Sequence, residues 1–140
     1  MSRKRFLTAM GLGLMFGVLC ASLAGQQQPE LSSVTHPIFW AMVTDRLLIG
    51  MTVGFAGAFT YHPVLGFRYR PWLRGGCLGL VVSLPLACGA LSAPAPAQGS
   101  VWIIFWATLL AGAVYGTLID VLATKIGGEG SILLSREPTP

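Results

Sequence analysis

Four long apolar blocks dominate the chain: Phe6 to Ala24, Pro37 to Tyr61, Gly76 to Ala93, and Val101 to Ile126. Each has about the 17 to 25 residues that an α-helix needs to cross a hydrocarbon core. Lipid offers the backbone no hydrogen-bond partner, so such runs span it only as helices. The alternation expected of a membrane barrel strand is absent. Composition agrees, because charged residues make up 10% of the 140 against roughly 25% in soluble domains. The expected fold is therefore an all-α membrane protein with four transmembrane helices. A single domain over residues 1 to 126 is followed by a flexible tail, 127 to 140, with no room left for a soluble domain.

The charges give this bundle a direction. Eight of the nine Lys and Arg residues flank the ends that four spans bring to one side: Arg3, Lys4, Arg5, Arg68, Arg70, Arg74, Lys125 and Arg136. The positive-inside rule then puts both termini in the cytoplasm. Residues 25 to 36 and 94 to 100 carry no Lys or Arg and read as outer loops. The connection HPVLGFRYRPWLRG interleaves cations with aromatics. Nucleic-acid binders share that pattern, but between two spans it reads as an interfacial anchor. Arg68, Arg70, Trp72 and Arg74 are thus expected at the lipid interface, with membrane lipids as partners and no nucleic acid. The first block has a rival reading, since a basic leader, an apolar core and Ser22-Leu23-Ala24 also suit a cleavable signal peptide.

That first block also resembles a later one. Shifting the chain by 66 residues lays Leu12-Gly13-Leu14 on Leu78-Gly79-Leu80, Ile38-Phe39-Trp40-Ala41 on Ile104-Phe105-Trp106-Ala107, and Gly50 on Gly116. We read a duplicated helical hairpin, residues 5–62 and 71–126, whose copies are parallel because each starts inside. This repetition favours retention of the first span. Small residues recur at helix-packing spacing: Gly13 and Gly17, Gly50 and Gly54 with Gly57 beyond, and Gly112 and Gly116. Such notches let helix backbones approach closely, and packing within the chain accounts for them.

Ionisable residues inside a membrane are costly enough to be functional candidates. Asp45 and Arg46 lie in the second block, Asp45 roughly 8 Å deeper than Trp40 at 1.5 Å per residue. Adjacent residues point about 100° apart on a helix, so the two are expected to need separate partners or water. The structural alternative has Arg46 reaching outward and Asp45 capping a helix that starts there, residues 37 to 44 being a separate interfacial segment. Asp120, roughly 7 to 8 Å before Lys125, is expected to meet water, Lys125 or a loop arginine. Under the repeat, Asp45 and Arg46 fall on Ala111 and Gly112 and so break the symmetry. Pro85 removes a backbone hydrogen bond from the third span and is expected to kink it.

Chemistry beyond this is sparse. Cys20, Cys77 and Cys88 show no metal or redox spacing. His36 and His62 end one span on opposite sides, which excludes paired axial ligation of haem within one chain. No Walker loop, HExxH or nucleophile motif occurs, so no catalytic, cofactor or metal site is expected. The segments RLLIGMTVGFAG, LRGGCLGLVVSLPLACGA and AGAVYGTLIDVLATK resemble those of small, uncharacterised four-helix membrane proteins of bacteria and archaea. The resemblance brings no activity with it, and the expected location is a prokaryotic inner (plasma) membrane. A fluoride channel's pore asparagine and a small multidrug exporter's first-span glutamate are both missing. The expectation is a non-enzymatic structural or accessory membrane protein, packing with itself or with a subunit of a membrane complex. The alternative is a small oligomeric transporter or channel that uses Asp45, Arg46 and the Pro85 kink.

Overall fold

The computed structural model describes residues 3–61, 64, 66–92 and 100–130. They form α1 (Arg3–Gln27), a 3-10 turn (Pro29–Ser32), α2 (Pro37–Ala56), α3 (Pro71–Leu91) and α4 (Val101–Gly127). All four α-helices are long and apolar enough to cross a membrane. His62, most of the 94 to 100 loop and residues 131–140 of the expected tail lie outside the described residues.

Local chemistry fixes the helix starts. Pro37 and Pro71 occupy first-turn positions, where a missing N–H costs nothing. The His36 ring accepts from the Ile38 amide at 3.3 Å, and Ser100 Oγ accepts from the Trp102 amide at 3.3 Å. α3 begins five residues before the apolar block it was read from, so Trp72 and Arg74 belong to its first turn. Pro85 sits inside α3, which continues past it to Leu91. α2 runs unbroken through Asp45, which excludes a separate interfacial segment at 37 to 44 and a capping role for Asp45.

The helices alternate in direction, α1 packing chiefly on α2 and α3 on α4. Backbone contact at glycine sets both pairings. A Cβ on Gly13 would stand 2.5 Å from the Arg46 carbonyl oxygen, and one on Gly50 would collide with that of Ala9. In the other pair, a Cβ on Gly79 would collide with the Gly112 carbonyl oxygen and one on Gly116 with that of Gly75. Gly17 faces Val43, Gly112 faces Ser83, Gly54 faces Phe6, and Gly57 faces the Arg5 guanidinium. Between the pairs lies a narrow core of Ala9, Ile49, Val53, Ile119 and Ala123, flanked by Leu12, Phe16, Leu78 and Val82. Large apolar side chains such as Leu14, Val81 and Leu110 point outward, as they do when the surrounding solvent is hydrocarbon.

Candidate functional site

Two polar clusters interrupt this apolar interior. The first lies within the bundle, where α2 meets α3. Asp45 is 6% exposed and Arg46 1%. They form an ion pair from Arg46 Nη1 to Asp45 Oδ2, which corrects the expectation that neighbours 100° apart need separate partners. The Cβ directions do diverge, but an arginine side chain is long and flexible enough to turn its terminal nitrogens back toward the preceding residue. Ser83 Oγ completes a triangle, donating to Asp45 Oδ2 at 2.9 Å and accepting from Arg46 Nη1 at 2.8 Å.

The guanidinium carbon lies 5.0 Å from the centroid of the Tyr115 ring, within cation–π range. Tyr115 in turn stacks on Phe16 at 5.0 Å. On its other edge, Arg46 Nη2 meets only the Cys20 sulfur, at 4.0 Å, and Nε has no partner among the described residues. All four helices therefore touch this arginine, yet its oxygen acceptors, Asp45 and Ser83, come from α2 and α3.

The second cluster lies where α1 and α3 begin and α2 and α4 end. Asp120, wholly buried, accepts from Arg5 Nη2 at 2.6 Å and from Arg74 Nε and Nη2 at 2.8 and 2.9 Å. The Arg74 contact is the two-toothed fork that a guanidinium makes with a carboxylate. Arg5 also donates to Thr124 Oγ1 at 2.8 Å and to the carbonyls of Gly128 and Val53 at 3.1 and 3.2 Å. Arg74 reaches the Phe59 carbonyl at 2.8 Å and Glu129 Oε2 at 3.2 Å. Carbonyls exposed at helix C-termini thus become acceptors for cations, as the helix dipole favours.

Arg74, expected at the lipid interface, is instead turned into the bundle. Of the partners anticipated for Asp120 it has Arg74, but not Lys125. Arg68 and Arg70 stay exposed, as does Trp72. The first residues of the expected tail are docked, since the Gly130 amide donates to the Gly57 carbonyl at 2.8 Å and Glu129 is held by Arg74. Asp45 and Asp120 belong to different clusters. Sequence reasoning missed Arg5, Ser83, Tyr115, Thr124 and Glu129. Arg5 was hidden in a basic leader and Ser83 among apolar neighbours; the one available signal for Ser83 was its place two residues before Pro85.

Among the described residues no three His, Cys, Asp or Glu side chains group together. Two shallow apolar depressions lie on the outward side of α4, one lined by Trp102, Ile103, Trp106, Ala107 and Leu110, the other by Ala113, Val114, Thr117 and Leu118. Neither includes a member of the polar clusters. Compared with protein-family models, with curated proteins and with solved structures, the chain has no significant match.

Proposed function

We propose that this chain is a non-enzymatic structural or accessory protein of a prokaryotic inner membrane, a rigid four-span scaffold that packs with a partner subunit or a second copy of itself. One observation carries the reading: among the described residues, both buried acidic groups, Asp45 and Asp120, are neutralised by arginines of the same bundle, and those arginines tie separate helices together. A site that works on a solute needs charge presented to a path, whereas these charges are spent on assembly. Contacts with a partner then fall to the outward apolar faces.

The orientation follows from charge. α1 begins and α4 ends at one end of the bundle, together with Arg3, Lys4, Arg68, Arg70 and Lys125, which supports cytoplasmic termini. Duplication is supported by contacts as well as by sequence. Gly50 meets Ala9 and Gly116 meets Gly75; Gly13 meets Arg46 and Gly79 meets Gly112. Each pair of contacts is related by the same 66-residue shift. Arg46 occupies the Gly112 position and Ser83 the Gly17 position, so the inner cluster stands where the two halves diverge. Retention of α1 is supported by Gly13, Gly17 and Arg5, whose contacts would all be lost on cleavage after Ala24.

Transport is the second reading, favoured by the unsatisfied edge of Arg46 and by Ser83 lying two residues from Pro85. Purification of the tagged chain in mild detergent, with intact mass and co-purifying proteins read by mass spectrometry, tests the leading proposal. A stoichiometric partner or a defined oligomer that persists in Asp45→Asn and Arg46→Gln, with residues 1–24 still present, is the expected result. A solute flux in proteoliposomes that those two substitutions abolish would replace it with the transporter.

A further inference from the structure

The cations at the end where α1 and α3 begin divide into two sets. Arg5 and Arg74 are buried against Asp120 and Glu129, two positive and two negative charges that sum to zero. Arg3, Lys4, Arg68, Arg70 and Lys125 are exposed. Of these, Arg68 is 67% exposed and reaches Glu129 at only 3.4 Å, and the other four have no acidic partner among the described residues. Among the described residues, this end of the molecule therefore carries a net excess of five positive charges.

We propose that these five residues form a surface selective for anionic phospholipid headgroups. They come from the start of α1, the α2–α3 connection, the residue capping α3 and the last turn of α4, so they surround the end of the bundle and do not share a single face. That distribution suits a shell of lipids better than one macromolecular partner. Phe59, Tyr61 and Trp72 are exposed at the same end, where aromatic rings settle at headgroup level. A lipid phosphate meeting this shell gains attraction from cations of which only Arg68 has a carboxylate partner, the long contact with Glu129, each cation being worth about a fivefold change in partition near an anionic surface. The inference rests on the membrane-spanning reading and is independent of the accessory role.

Native mass spectrometry of the full chain in detergent, with equal amounts of phosphatidylglycerol and phosphatidylcholine, tests it. The expected result is bound lipid enriched about fivefold or more in phosphatidylglycerol, as for at least one cation–headgroup contact. Enrichment falls as ionic strength is raised and survives added inorganic phosphate at the lipid concentration. In R3Q/K4Q/R68Q/R70Q/K125Q it drops to about one, because those glutamines carry no charge to attract the headgroup. R68Q/R70Q, which touches no buried contact, gives an intermediate value if the larger variant fails to fold. Equal binding of the two lipids by the unmodified chain, enrichment retained in both variants, or displacement by free phosphate would overturn the proposal.

Discussion

The two polar clusters solve the same problem with different generosity. At the charged end, Asp120 receives three arginine N–H bonds, and its arginines go on to five carbonyl and side-chain acceptors on α2, α4 and the residues that follow each. Inside the bundle, Asp45 has one arginine and one hydroxyl, and the arginine keeps one edge without an oxygen acceptor. Helix-end carbonyls are available where helices begin and end and scarce in the middle of a bundle. The deeper cluster is accordingly the leaner one, and its charges are held mainly by each other.

Removal of the central carboxylate distinguishes the two most sharply. Asp120→Ala leaves two buried guanidinium groups without their shared anion, and the loss is expected at about 3–5 kcal/mol or more, enough to abolish a folded monodisperse protein on detergent chromatography. Asp45→Asn strands one arginine that retains Ser83 and the Tyr115 ring, so about 2–3 kcal/mol is expected, read as a lowered but measurable Tm. Equal Tm losses for these two substitutions would break the comparison. It is sharpened by Asp45→Asn/Arg46→Gln, which removes both charges and should be more stable than Asp45→Asn alone, because a buried unpaired charge costs more than a missing pair.

Smaller effects probe the packing around the clusters. Gly79→Ala drives a methyl into the Gly112 backbone and is expected to cost about 1–3 kcal/mol, whereas Gly11, with nothing within 4 Å of its would-be Cβ, tolerates alanine at no cost. Ser83→Ala deletes the hydroxyl that links Asp45 and Arg46 across α2 and α3. Its expected cost is about 1 kcal/mol, checked by the same thermal measurement.

How much of this was legible depends on what each signal measures. Mean apolarity over twenty residues located four helices, and Pro37 and Pro71 stand at the first positions of the second and third. It could not say which face of a helix turns inward, because lipid-facing and core-facing residues are equally apolar; Leu14 and Leu12 look alike in sequence but face opposite ways. Glycine spacing carried that information instead, as at Gly13 against Gly50. Hydropathy also misplaced Arg74 by assigning it to a loop, since a charged first turn depresses the average that marks a span. Asp45 and Arg46 were visible as an anomaly, but an arginine turning back onto its neighbour leaves no periodic signal, and nothing distinguishes the bridging Ser83 from other small residues in the third span.

Arg5 and Asp120 are separated by 115 positions in the chain, and this sets a timetable for biogenesis. When α1 leaves the ribosome its arginine lacks Asp120, the carboxylate it meets in the folded bundle, until α4 is synthesised. The α1–α2 hairpin can form on its glycine faces first, but the α3–α4 pair and the ring of helices close only after α4 arrives and Gly127 settles against the Arg5 backbone. A nascent chain that stops short of α4 thus carries an arginine without its buried partner, and the arrival of Asp120 is the step that conceals that charge.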